Sequence, residues 1–257
     1  GFPDFPAPPA LLEALSQATL SGYNQYPAGD GFLVLREQLA KQFLQRDQLQ
    51  LDPATEITIT PGATIAIFCA IQACIHADDE VIIFDPSYDS YAPAVQLAGG
   101  TSIHIHLEAP TFQVDWQQLK DRINAKTRMI IVNTPHNPTG AIWSEQDWHQ
   151  LIELIQDKNI VVLSDEVYEH LTFGHRHIPL MTLPDMRDRC IRIGSAGKSF
   201  SFTGWKVGYI TASEHLTPTI AKAHQNLAFS TAPALQHAVA CGLQKDNAYF
   251  QALAADM

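Results

Sequence analysis

Apolar residues at positions 32, 35, 39 and 43 of "FLVLREQLAKQFLQRD" fall on one helical face. The earlier segment "ALLEALSQATLSG" reads as a helix that ends at Gly22, and "NQYPAGDG" between the two is a loop. The Pro-rich start, "GFPDFPAPP", excludes regular helix. Strands and helices then alternate. "EITIT" leads into a helix over 63–76, "EVIIFD" into a helix from about Tyr88, and "TSIHIHL" precedes the helical "VDWQQLKDRI". "RMIIVN" precedes "SEQDWHQLIELIQD", whose first residue, Ser144, has the chemistry of an N-cap. "NIVVLSDEVY", "CIRIGS" and "KVGYIT" are three more strands, with helical segments from 213 on. Runs such as "MIIV" and "IVVL" are apolar on both faces, as in a parallel sheet covered by helices. The expected architecture is an α/β three-layer domain on a mostly parallel sheet.

Composition narrows the class. The chain has 257 residues, 46% hydrophobic and 17% charged, which suits a soluble globular protein with a sizeable core. A net charge of −11 without a dense Lys/Arg run argues against a nucleic-acid surface. The longest apolar stretches, such as "ATIAIFCAIQACI", are shorter than a membrane span, and the start is not that of a secretory signal. Cys69, Cys74, Cys190 and Cys241 lack CxxC spacing and read as reduced core thiols, so a cytoplasmic protein without structural zinc is expected. The chain begins without Met and stops inside what reads as a helix, "QALAADM", so a fragment of a longer protein is expected.

The densest stretch is "IRIGSAGKSFSFTGWKVGY", with Lys198 at its centre. A P-loop would need glycine six residues before Lys198, where Arg192 stands, and "SFSFTGW" is a poor helix former, so that reading fails. A loop lysine by itself is commonly an inert surface group. Here it has company at other strand ends: "TPGAT", "FDPSYDSY", "NTPHNPTG" and "SDEVY". In α/β sheets, ligands bind just past the carboxyl ends of the strands.

These residues match the needs of pyridoxal 5'-phosphate: an amine, a carboxylate for the ring nitrogen, donors for the ring oxygen and an anion site. Lys198 supplies the amine. Asp165, directly after "IVVL", supplies a carboxylate, although Asp is also a common helix cap. Tyr168 lies one turn on and Asn137 sits in a Pro/Gly loop, where packing and an ordinary turn are the plainer readings. Gly62, Ala63 and Thr64 open a helix whose bare N–H groups suit an anion, or form a plain strand–helix turn. Ser195 and Lys206 could add a hydroxyl and a cation, and Tyr88 could stack on a flat ring or pack in the core. His104 and His106 share a strand face, but a solvated edge is the expected explanation and no metal site is assigned.

Taken together, "GSAGKSFSFTGWKVGY", "NTPHNPTG", "SDEVY", "GFPDF" and "NQYPAGDG" resemble the class I/II aminotransferases of fold type I. The branch they resemble holds the kynurenine, glutamine and methionine aminotransferases. The resemblance runs in order over essentially the whole chain. It implies a pyridoxal-phosphate-binding large domain over 26–257, preceded by an N-terminal arm and helix over 1–25. Lys198 would be the Schiff-base lysine that also moves a proton, and Asp165 would pair with the pyridine nitrogen. Tyr168 and Asn137 would bond the phenolic oxygen, Asn137 near the substrate too, and Tyr88 would stack on the ring. The amides of Ala63 and Thr64, with Ser195 and Lys206, would hold the phosphate. Tyr26 would reach the neighbouring subunit's phosphate in a homodimer, Phe229 would line the partner's substrate pocket, and Gly1 would lie beside the substrate.

Two departures go with the resemblance. Lys206 stands where many members carry Arg. The C-terminal small domain, with its carboxylate-binding arginine, is absent, so a full protein of roughly 380 residues is expected and these residues alone should be inactive. The implied activity is transfer of an amino group from a neutral apolar, aromatic or sulfur-containing amino acid to a 2-oxo acid. A C–S β-lyase on the same fold, or a cofactor-binding regulatory domain of a transcription factor, are the alternatives.

Overall fold

The computed structural model describes residues 3–172, 174–244, 249 and 250. Along the chain come α1 (Pro9–Leu20), α2 (Leu33–Asp47), β1 (Ile57–Thr60), α3 (Ala63–Cys74), β2 (Glu80–Asp85), α4 (Tyr91–Leu97) and β3 (Thr101–His106). They are followed by α5 (Trp116–Arg122), β4 (Thr127–Asn133), α6 (Glu145–Ile155), β5 (Val161–Asp165), β6 (Cys190–Ser195), the single turn α7 (Ala196–Ser199) and β7 (Gly208–Thr211). Two helices, α8 (Thr217–Leu227) and α9 (Pro233–Gly242), close the described part. The expected helix at the end of the chain and Gly1 lie outside the described residues.

The seven strands form one sheet in the order β1-β7-β6-β5-β4-β2-β3. Only β7 runs against its neighbours, so the sheet is mostly parallel as expected. Strand alternation sends successive side chains to opposite faces. Val81, Ile83, Ile131 and Leu163 pack with Ile67 and Ile71 of α3, Val95 of α4 and Ile220 of α8. Ile82, Ile130 and Val162 face the other layer, with Leu35, Leu39 and Phe43 of α2 and Trp148 and Leu151 of α6. Three layers result, and each such buried side chain contributes about 1.5–3 kcal/mol.

Ser144 caps α6 as expected, in a reciprocal pair with Asp147. Helix α4 starts at Tyr91 rather than near Tyr88. Residues 86–90 form an irregular turn, in which Ser87 Oγ donates to Asp85 and the Tyr91 amide to Tyr88 O. The cysteine expectation holds only in part: Cys69 and Cys190 are buried, while Cys74 and Cys241 are half-buried, and all four are free. No described helix is long and apolar enough to cross a membrane.

Candidate active site

Six strand ends converge on a cavity of about 210 Å³. The carboxyl ends of β4, β5 and β6 bring Asn133 and Asn137, Asp165 and Tyr168, and Ser195 and Lys198 to its wall. Tyr88 follows β2, and Gly62, Ala63 and Thr64 join β1 to α3. Lys206 arrives because β7 is antiparallel, which puts its beginning on the edge where its neighbours end.

Asp165 is 3% exposed. Its Oδ2 accepts from the Tyr91 hydroxyl at 2.6 Å and its Oδ1 from the Val167 amide at 3.3 Å. Burial pushes its carboxyl up to about 6, against the pull of those two donors and Lys198; Glu166 adds to the rise. No helix follows β5, so Asp165 is not a helix cap. Lys198 lies in α7 with Nζ 5.2 Å from the centre of the Tyr168 ring. Burial lowers its amine pKa and Lys206 lowers it further, while Asp165 opposes both. Burial, then the Asp165 charge, raises the Tyr168 phenol.

The opposite wall is an anion cradle. Gly62, at φ +83°, turns the chain into α3, and the first amides of that 12-residue helix are unpaired within it. A Cβ on Gly62 would come 3.0 Å from Lys206 Cε, so the lysine stem packs directly on bare backbone. Thr64 Oγ1 is 3.1 Å from the Tyr88 hydroxyl, which ties the ring of Tyr88 to the start of α3. An amine of reduced proton affinity, a buried carboxylate and a cationic helix N-terminus are the donor set that pyridoxal phosphate requires.

The family profile for class I and II aminotransferases matches residues 1–256. The chain belongs to that family. It is 42% identical over 254 residues to the methionine aminotransferase of Escherichia coli (strain K12), covering 98% of this chain and 66% of that protein. It is 36% identical over 264 residues to kynurenine–oxoglutarate transaminase 1 of Rattus norvegicus, covering 97% and 62%. A solved Escherichia coli structure, for which a methionine aminotransferase function was identified, superposes with a TM-score of 0.97 at 41% identity, over 100% of this chain and 68% of that one. The chain thus spans just under two thirds of these curated relatives.

In this member of the family, Lys198, Asp165, Tyr168, Asn137, Tyr88, Ala63, Thr64, Ser195 and Lys206 all line the same cavity. Tyr26 and Phe229 do not. They meet each other edge to face, ring centres 5.1 Å apart, beside an open groove, and Tyr26 is 84% exposed. Sequence reasoning missed Tyr91, Asn133, Val167 and Thr203. Tyr91 lies three residues beyond Tyr88 in the same segment, which was the available signal. Asn133 Nδ2 donates to Asp165 O and its Oδ1 accepts the Asn137 amide, so it fixes the loop that presents Asn137. His104 has the carboxylate partner its sequence neighbourhood lacked, Asp85 of the adjoining strand at 2.8 Å, and no metal-binding group occurs among the described residues.

Proposed function

We infer that the protein containing this chain is a pyridoxal 5'-phosphate-dependent aminotransferase. It would move the amino group of a neutral apolar, aromatic or sulfur-containing amino acid to a 2-oxo acid. The observation that carries this reading is the facing of Lys198 and the buried Asp165 across one cavity whose third wall is the α3 N-terminus with Lys206. The methionine and kynurenine aminotransferases among its relatives support the substrate class.

Bound in the cavity, the cofactor supplies an electron sink for the substrate's α-carbon. Lys198 Nζ would hold the cofactor's carbonyl carbon and, once released from it, would carry the proton between the substrate α-carbon and that same cofactor carbon. Its lowered proton affinity leaves more free amine near neutral pH. Asp165 would keep the ring nitrogen protonated, and that positive partner would hold the carboxylate ionised in turn. Tyr168 and Asn137 would hydrogen-bond the ring oxygen, and Tyr88 would cover the ring face. The Ala63 and Thr64 amides, Ser195 and Lys206 would hold the phosphate.

The large domain is assigned to 26–257, with 1–25 as arm and helix. Among the described residues that line the cavity there is no arginine; the chain spans just under two thirds of its relatives, and the carboxylate-binding arginine is assigned to the part of their length that it does not cover. The exposed Tyr26–Phe229 pair supports a homodimer with shared sites, Tyr26 reaching the partner's phosphate. The protein is assigned to the cytoplasm.

Full-length protein with the cofactor should convert methionine and a 2-oxo acid into the exchanged pair. Release of pyruvate and ammonia from cystathionine without an added oxo acid would instead identify a β-lyase.

A further inference from the structure

The strand residues that alternate with the cavity residues carry a second constellation. Leu163 and Ile193 pack on the α3 side, and Asp165 and Ser195 continue their faces into the cavity. By strand alternation Ser164 and Arg192 point the other way, toward α2. Arg192 is fully buried, its guanidinium carbon 4.5 Å from the centre of the Phe43 ring. Nη1 bonds Asp47 Oδ2 at 3.1 Å, and Nη2 makes a short bond to Glu169 Oε2. Nε stands 2.9 Å from Glu166 Oε2, an ion pair rather than an aligned hydrogen bond.

Both glutamates are held from further sides. Glu166 accepts from Ser164 Oγ at 2.9 Å and lies 2.7 Å from His177 Nε2. Glu169 accepts from the Tyr209 hydroxyl at 2.6 Å and from Arg46 Nη2 at 2.7 Å. These glutamates directly follow Asp165 and Tyr168. One turn therefore presents Asp165 and Tyr168 to the cavity and Glu166 and Glu169 to Arg192. Arg192 lies on the strand that ends at Ser195 and leads into α7 with Lys198, and Tyr209 on the strand that begins after Lys206.

We propose that Arg192 is a positioning residue: it locks the 165–169 turn to β6 from behind the sheet and so fixes Asp165 and Tyr168 relative to Lys198. A buried ion cluster is weak support for stability, since apolar replacements of such clusters can be as stable or more so. What the guanidinium adds is direction. Its planar donors admit one placement of both glutamates, whereas apolar packing tolerates rotation of the turn. An error of about 1 Å at this site is enough to cost a large factor in function.

The inference rests on the cofactor reading above. The test uses full-length protein in three forms: parent, Arg192→Lys, and Arg192→Met combined with Glu169→Gln to avoid leaving that carboxylate unpaired. For each, thermal unfolding, pyridoxal phosphate affinity and the pH midpoint of the bound cofactor's absorption band are measured. A folded variant should bind the cofactor about tenfold more weakly and show a displaced band midpoint, including where its unfolding temperature matches the parent's. Parent-like affinity and midpoint in a folded variant, with only a lowered unfolding temperature, would overturn the proposal. So would unfolding of both variants, which would make Arg192 a stability residue alone. A parent that binds no cofactor defeats the cofactor reading itself, and this inference with it.

Discussion

Tyr91 donates its hydroxyl to Asp165 Oδ2 at 2.6 Å, joining the first turn of α4 to the end of β5 across 74 residues of sequence. Burial raises both groups, so the hydrogen stays on the phenol and the carboxylate is the acceptor. One oxygen of Asp165 is thereby fixed from the side, and its companion is braced by the Val167 amide.

The raised Asp165 carboxyl has a consequence for stability. It sits at about 6 in the fold against an ordinary 3.8, so the folded chain holds this proton more tightly than the unfolded one. The contribution is complete below about pH 4 and is lost as pH rises through about 6, on the order of 3 kcal/mol in all. Cofactor-free protein should lose stability over that window. Asp165→Asn should flatten the loss, yet lower turnover by about 100-fold or more. Tyr91→Phe, which removes a donor, should move the loss to higher pH. Urea midpoints across the range, with single-turnover rates, check all three. Normal turnover in Asp165→Asn would leave the carboxylate without a catalytic task.

Lys198 is expected to be the lysine that borohydride joins to the cofactor, recovered as one modified peptide. Modification of any other lysine would overturn the assignment. Its amine loses its proton at lower pH than an ordinary lysine, because of burial and then Lys206. In cofactor-free protein, capture of a small aldehyde by Lys198 should rise with pH, with a midpoint below the ordinary 10.5. Lys206→Gln should shift that midpoint upward. An unmoved midpoint would show that the two lysines do not sense each other.

Gly208 tests the anion cradle. A Cβ there would come 2.5 Å from Gly62 C and 2.6 Å from Ala63 N, both backbone atoms that have no room to yield. Gly208→Ala should push the 62–63 turn out of place. It should cost about 1–3 kcal/mol of stability and weaken cofactor binding beyond that loss. Inorganic phosphate titrated against tyrosine fluorescence gives the cradle's affinity without the ring. Unchanged phosphate affinity would place the anion elsewhere.

The Tyr26–Phe229 pair tests the shared site. Chains with Tyr26→Phe should be mixed with chains carrying Lys198→Ala under conditions of proven subunit exchange, at limiting cofactor. In an isologous dimer one site then carries both lesions and the other neither. Activity should therefore rise above either parent variant. No recovery would confine Tyr26 to packing on its own chain.

Much of this was legible in the chain. Apolar runs such as "MIIV" and "IVVL" can only be buried between two helical layers, and the polar segments that follow such strands must gather at one sheet edge. Local patterning therefore supplied the layers and all seven strands, while residue chemistry and the family resemblance supplied Lys198, Asp165, Tyr168 and Asn137. The start of α4 was misplaced because turn 86–90 is held by Ser87 on Asp85, a choice that helical periodicity does not encode.

Tertiary structure alone decided the rest, because those contacts join residues distant in sequence. Lys206 was named from its charge and the family resemblance, but the antiparallel course of β7 is what packs its stem on Gly62, a contact that strand periodicity does not encode. Tyr91 and Asn133 read as ordinary polar residues until folding puts one on the Asp165 carboxylate and the other on its backbone carbonyl. Arg192 stands in a strand that reads as apolar, and only burial among Asp47, Glu166 and Glu169 gives its charge a reason to be there. Sequence pattern records which face of an element leaves water. Which charge that face then meets is set by strand order, and strand order is a property of the folded chain.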